Sequence, residues 1–340
     1  MTTWSPAARA GVAICVPARN EADMLPQLFA AIERLDRCGV APILCLLLDS
    51  CDDHSASVAR SYAEQASLPV HVARAHQTEP NAGRARHRAM QLGARALNGT
   101  GILLATDADS KPEVDWLQAM VAALGHAEVV AGRVRRTVTQ PHPTQDRIER
   151  YYEALHARRR VLDPVAWEAA ATHHQTSSAN LGISVHHYRS LGGFQPLTAG
   201  EDARLADDAA RAGMRVRRDA ASVVHTSDRR TGRVLHGFAH GLRTLDGAGD
   251  GIEVAHPDDA TWQYRGHASA RRAYRDGELA DLADAIDIPT DHLRGVMRDS
   301  PNAEAFAMRV IPVPLGGMRR VTLPVAEAAL AAMSSGRHAA

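Results

Sequence analysis

The sequence predicts an α/β fold: a mostly parallel sheet with flanking helices, followed by a largely helical C-terminal extension. Three observations lead there. Short apolar runs at 12–16, 43–48, 70–73, 102–106 and 129–134 read as strands. Helical patterns at about 22–37, 54–66, 84–97 and 113–124 lie between them. The resulting β-α-β-α order makes neighbouring strands parallel and covers both sheet faces with helices.

The second half is less regular. Residues 144–172 read as helical and charged, 179–185 as a strand, and 202–212 as a helix ended by Gly213, a C-terminal cap. A short strand at 222–225 and a helix at 230–245 follow. The Gly/Asp-rich stretch at 246–251 marks a boundary, so the expected domains are 1–249 and 250–340. Helical patterns at 268–286, 290–299 and 322–333 fill the extension. Leu279, Leu282, Ile286, Leu293, Val296 and Met297 form a stripe there that must be covered. The expected cover is the first domain or a second copy of the chain, a homodimer.

Composition narrows the classes of function. Lys+Arg 39 equals Asp+Glu 39, which argues against a nucleic-acid partner. All basic residues but Lys111 are arginine, an Arg and Ala bias that is not itself phosphate chemistry. Cys15, Cys38, Cys45 and Cys51 contain no C-x-x-C pair and read as small reduced core residues. The longest apolar run, 43–48, is far below the ~20 residues of a membrane helix. A soluble, cytoplasmic chain with no transmembrane segment is expected.

In parallel sheets ligands bind at the carboxyl ends of strands. Pro17-Ala18-Arg19-Asn20-Glu21, Asp49 to Ser55, Asn81 to Arg86 and Asp107-Ala108-Asp109 occupy those places. Asp107 and Asp109 follow a buried apolar run, where two unpaired carboxylates would repel and resist desolvation. A hard divalent cation resolves both costs, and Mg²⁺ or Mn²⁺ takes oxygen ligands. Asp49 follows LCLLL and is placed, with Asp53, to accept from a base or ribose. Arg84 opens a helix, where a guanidinium and free N–H groups suit phosphate. Glu201 and Asp202 begin another helix, as a cap or as a base kept ionised by the macrodipole. His225 ends an apolar strand and precedes Arg229, Arg230 and Arg233, which suits either a core histidine or a metal–diphosphate site.

The motifs P-x-x-N-E, D-S-C-D-D, A-G-R-A-x-x-x-A, D-A-D, S-A-N-L-G, L-G-G-F, G-E-D-x-x-L and H-T-S-x-R-x-x-G-R occur in that order. In this the chain resembles family 2 glycosyltransferases over roughly residues 11–245. The resemblance implies a Rossmann-like GT-A fold and a metal-dependent, inverting, hexosyltransferase-like enzyme using a nucleotide-sugar donor. Matched motif by motif, Pro17, Ala18, Asn20, Glu21 and Asp49 would line the nucleotide pocket, with Arg84 near base or diphosphate. Asp107 would face the donor sugar and Asp109 would bind Mn²⁺ or Mg²⁺ together with His225. Asp202 would be the general base, with Glu201 beside it, and Arg229, Arg230 or Arg233 would clamp the diphosphate.

Two departures bear on nucleobase choice: Ser50 stands where many relatives have a second acid, and Arg84 where a lysine is usual. One rival is a nucleotidyltransferase acting on a sugar phosphate, but PARNEADML lacks its Gly-rich phosphate loop. The other is a non-catalytic sugar-nucleotide-binding protein, which would predict erosion of D-x-D or E-D. The acceptor, small molecule or lipid-linked, is not legible in the sequence.

Overall fold

The computed structural model describes residues 11–37, 39–137, 141–228, 251–311 and 317–335. They group into two compact units. The first takes the chain to 137, then 167–209 and 215–228; the second takes 141–166, 210–214 and everything described from 251 onward. Against the expected boundary at 249/250, the helix at 143–162 thus groups with the C-terminal helices. The helix expected at 230–245 lies outside the described residues, as do Arg229, Arg230, Arg233 and Cys38.

The first unit is built on β1 (Val12–Ala18), α1 (Leu25–Glu33), β2 (Pro42–Asp49), α2 (Ser55–Ala63), β3 (Val70–Ala75), α3 (Ala82–Ala96) and β4 (Ile102–Ala105). It continues with β5 (Ser110–Pro112), α4 (Trp116–Leu124), β6 (Val129–Thr137), β7 (Leu181–Ser184), a short helix (Val185–Ser190), a further helix (Glu201–Arg211) and β8 (Val216–Ser227). One eight-stranded sheet runs in the order β3-β2-β1-β4-β7-β6-β8-β5. β3, β2, β1 and β4 are mutually parallel. The central runs VAICVPA and ILLA are buried nearly throughout, as strands covered on both faces must be. β3, at the sheet edge, is partly exposed.

The other half of the sheet is mixed. β7 lies antiparallel between β4 and β6, and β5 antiparallel to β8, while β6 and β8 are parallel. Alternation of strand and helix predicts parallel neighbours only while each strand is followed by a crossover helix. β7 instead enters from a 3₁₀ turn, Ser178–Asn180, so its direction is set by long-range pairing.

Local chemistry explains the helix limits. Asn81 caps α3 by accepting from the backbone N–H of Arg84 at 2.8 Å. The helical pattern expected over 144–172 ends at Leu162, because Asp163 precedes Pro164 and is pushed out of the helical region. The pattern expected over 268–286 is two helices, Pro257–Asp276 and Ala280–Ile286, separated by Gly277 in the left-handed conformation at φ 77°. Gly213 takes the capping conformation expected of it, at φ +84°.

The second unit has its own core. Leu279, Leu282 and Leu293 are buried with Ala270, Phe306, Val310 and Ile311, and Ile286, Val296 and Met297 pack against them. The helix Ala303–Val310, unmarked by the sequence pattern, supplies Phe306 and Val310. Tyr151 and Leu155 join Val254, Ala260, Leu323 and Leu330 in a second cluster. The apolar stripe is therefore covered by its own unit, where cover by the first domain or a second chain was expected. Among the described residues no helix is long and apolar enough to cross a membrane.

Candidate active site

The parallel half-sheet carries the carboxyl ends of β1, β2, β3 and β4 to one edge. After β1 the chain turns through Asn20 at φ 53°, and after β2 through Ser50 at φ 52°. Left-handed backbone costs a non-glycine residue energy, so surrounding bonds must hold it. Asn20 Oδ1 accepts from Asp52 N at 2.9 Å, and its amide donates to the Asp52 carboxylate. Asp53 accepts from Ala22 N at 3.0 Å and from Ser55 N at 2.9 Å, while Glu21 N donates to Ser55 Oγ at 2.8 Å. Asn20 and Asp53 thus tie the two loops together and shape the edge between Pro17-Ala18 and Asp49. Glu21 is buried behind it.

Asp49 is buried at the end of β2. Its Oδ2 accepts from Gln77 Nε2 at 2.6 Å, and its Oδ1 has no partner. A buried carboxylate oxygen left unpaired is costly, so this one suits a ligand donor such as a base N–H or ribose hydroxyl. Gln77, which orients it and also donates to Asn81 O at 3.2 Å, carried no motif signal in the sequence.

The D-x-D and E-D motifs meet on one guanidinium. Arg86 Nη2 donates to Asp107 Oδ1 at 2.8 Å and Arg86 Nη1 to Glu201 Oε1 at 2.8 Å. The Glu201 side chain is 5% exposed. Burial, with Asp202 and Asp107 nearby, raises its pKa, and Arg86 opposes that. Asp202, one residue on, is only half-buried; its Oδ2 accepts from Ser178 N at 3.3 Å. Arg86 was not singled out in the sequence. Arg84 was, and it is exposed on the first turn of α3. The available signal was spacing: two residues apart on a helix, the two arginines cannot share a direction.

β5 pairs Ser110 with Thr226 and Lys111 with His225, which sets Asp109 beside the end of β8. Thr226 Oγ1 donates to Asp109 Oδ1 at 3.4 Å. His225 Nε2 lies 2.8 Å from Glu113 Oε1. Among the described residues no group of three or more His, Cys, Asp or Glu side chains is arranged to hold a metal.

The S-A-N-L-G and L-G-G-F motifs act on the scaffold. Asn180 accepts from Trp116 Nε1 at 2.8 Å and donates to Arg133 O and Ser222 O, joining α4, β6 and β8. The loop after Phe194 packs on the start of α3: Gly83 N donates to Leu197 O at 3.0 Å and Asn81 Nδ2 to Pro196 O at 2.9 Å. A Cβ on Gly83 would lie 2.0 Å from Gln195 O, so only glycine fits there.

A half-parallel sheet with Asp49, Asp107 and Asp109 at its strand ends, joined through Arg86 to a helix opening on Glu201-Asp202, has the GT-A architecture of glycosyltransferases. Residues 13–175 match the profile of the family described as Glycosyl transferase family 2. Over that stretch, a little under half of the chain, the sequence is similar to that family. No curated protein matches the chain. Among solved structures it is similar in fold to GalNAc-T7 with UDP, GalNAc and Mn²⁺, at TM-score 0.51 and 15% identity, over 90% of this chain and 57% of that one. S. aureus TarS 1–349 in complex with UDP-GlcNAc gives TM-score 0.48 and 13% identity, over 88% of this chain and 89% of that one. The mannosyltransferase PcManGT from Pyrobaculum calidifontis in complex with GDP-Man and Mn²⁺ gives 0.47 and 17%, over 90% and 87%.

Proposed function

We propose that the protein moves a sugar from a nucleoside-diphosphate donor to an acceptor hydroxyl with inversion, assisted by a divalent cation. The observation that supports this most directly is the double contact of Arg86, which joins the D-x-D carboxylate Asp107 to the E-D carboxylate Glu201. Donor-side and acceptor-side groups so share one site.

Asp49, with its unpaired oxygen, receives the base or ribose at the loop edge formed by Pro17, Ala18, Asn20 and Glu21. Asp107 is held by Arg86 and faces the donor sugar. Asp202, half-buried at a helix N-terminus, takes the proton of the attacking acceptor hydroxyl. Glu201 is engaged by Arg86 and positions that turn. Attack opposite the leaving diphosphate inverts the anomeric centre in one step.

Asp109 and His225 are the residues that would hold the cation. Asp109 offers a hard oxygen, and a Mg²⁺ or Mn²⁺ site draws only one or two ligands from protein when phosphate supplies the others. His225 Nε2 lies against Glu113, the carboxylate–histidine pairing that orients a ligating imidazole, with Nδ1 as the candidate ligand atom. The cation would offset negative charge on the departing diphosphate. GalNAc-T7 was solved with UDP and Mn²⁺, and the shared fold makes these the first ligands to test. Arg84, Arg229, Arg230 and Arg233 are proposed as diphosphate contacts. The free thiols of Cys15, Cys45 and Cys51 fit a reducing, cytoplasmic setting.

The test is hydrolysis of UDP-, GDP- and dTDP-sugars with Mn²⁺, Mg²⁺ or EDTA. One donor is expected to turn over with metal and not with EDTA, and Asp109→Ala to lose that turnover while staying folded. Metal-independent turnover, or full activity of Asp109→Ala, would remove the cation from the reading.

A further inference from the structure

Within the second unit, the helices Pro143–Leu162, Pro257–Asp276, Ala280–Ile286 and Leu323–Ser335 border an open cavity of about 500 Å³. That is within the size range of small-molecule sites, ~300–1,000 Å³. Leu282, Ile286 and Met333 line it with apolar surface. Trp262, 38% exposed, also lines it. An exposed indole over an apolar cavity is an unusual use of surface and suits an amphiphilic ligand.

The polar side of the cavity is cationic. Arg265 lines it, is exposed, and makes no ion pair or hydrogen bond among the described residues. Arg158 also lines it, with Nε donating to the buried Thr261 Oγ1 at 2.8 Å, a bond that fixes the direction of its guanidinium. The lining carries one carboxylate, Asp258, against the two arginines; it lies 3.7 Å from Arg319, which itself pairs with Asp259 at 2.6 Å. The balance at the cavity favours an anion beside an apolar body.

We propose that this cavity binds a single-chain amphiphile with an anionic phosphate or carboxylate head: the chain against Leu282, Ile286 and Met333, the head against Arg265 and Arg158. The proposal does not depend on the donor chemistry proposed above.

Decyl phosphate, titrated calorimetrically into the full chain below its micellar concentration, is the probe. Decanol, inorganic phosphate and vesicles of anionic phospholipid are the comparison arms. Saturable binding of decyl phosphate is expected, with decanol weaker by about tenfold or more and inorganic phosphate weaker still, since chain and charge-assisted contacts both contribute. Arg265→Gln, at an exposed position, should weaken decyl phosphate by about tenfold and leave decanol unchanged. Ala285→Trp, at an exposed lining position, should fill the cavity and abolish both. Equal affinity for decanol and decyl phosphate, unchanged binding in Arg265→Gln, or binding to vesicles but not to the monomeric amphiphile would each overturn the proposal. So would no saturable binding up to about 1 mM. If Ala285→Trp does not fold, the Arg265→Gln pair of titrations still decides.

Discussion

Arg86 and Glu201 meet at 2.8 Å between Nη1 and Oε1, and the same guanidinium reaches Asp107 through Nη2 at 2.8 Å. Glu201 is nearly buried, so removal of its cation leaves an uncompensated charge. Breaking a buried pair in that way costs about 3–5 kcal/mol. Arg86→Gln should therefore lower the denaturation midpoint and remove turnover. Arg86→Lys keeps the charge but cannot fork between two carboxylates, so it should retain stability better than activity. Loss of Arg86 should also raise the Glu201 pKa further, since Arg86 is what opposes burial there.

Asp202→Asn should lower kcat by about 10²–10⁴, the contribution of a general base, with donor affinity nearly unchanged. Steady-state kinetics and nucleotide titration separate the two effects. If nucleotide affinity collapses instead, Asp202 belongs to the donor site. If Glu201→Gln in a folded enzyme removes all turnover while Asp202→Asn retains it, the base is Glu201.

Asp49→Asn keeps the shape and removes the charge. Its Oδ1 is buried and unpaired at the end of β2, so a bound donor group should lose a charge-assisted hydrogen bond. Affinity for the preferred nucleotide should fall by about tenfold. An unchanged dissociation constant would take Asp49 out of nucleotide recognition.

Gly83→Ala places a methyl where a Cβ would be 2.0 Å from Gln195 O. The obstacle is backbone, so the loop carrying Gln195 and Leu197 must move off α3. A loss of stability of about 1–3 kcal/mol or more is expected, with reduced activity, because Arg86 rides on the same helix. Thermal unfolding and kcat measure the two together. Wild-type stability would show that the loop yields freely.

Acid should destabilise the first unit early. His173 is fully buried, and burial, then Arg133 and Arg218, hold its pKa down to about 3. An unfolded histidine takes a proton near pH 6.5. The unfolded state therefore binds more protons between about pH 6.5 and about pH 3. Stability from this group is complete above the upper value and falls with pH, by up to about 1.4 kcal/mol per pH unit. His173→Gln should flatten that acid limb in a denaturant series from pH 7 to pH 4. An unchanged slope would show that other groups carry the loss.

The helices and strands of the first half were legible because their signals are local. An apolar run bounded by turn residues is a buried strand wherever it occurs, as VAICVPA and ILLA are here. The strand-end carboxylates Asp49, Asp107 and Asp109 were legible for the same reason, since parallel strands put their carboxyl ends on one edge. Asn180, within the S-A-N-L-G motif, serves the scaffold, and Arg86 was missed. Nothing in a one-dimensional pattern tells which of the four arginines in α3 faces two acids, which for Arg86 lie 21 and 115 positions further on.

What the sequence determined by itself was therefore the alternating α/β class, the carboxylate-lined strand ends and the helix opening on Glu201-Asp202. Tertiary structure alone decided the direction of β7, the junction of D-x-D and E-D on Arg86, the use of Asn20 to tie two loops, and the closure of the C-terminal stripe on its own core. The division has one physical cause. Periodicity, capping and burial of a run depend on neighbours in sequence. Strand direction, ion-pair partners and the surface that covers an apolar face depend on segments brought together only when the chain folds.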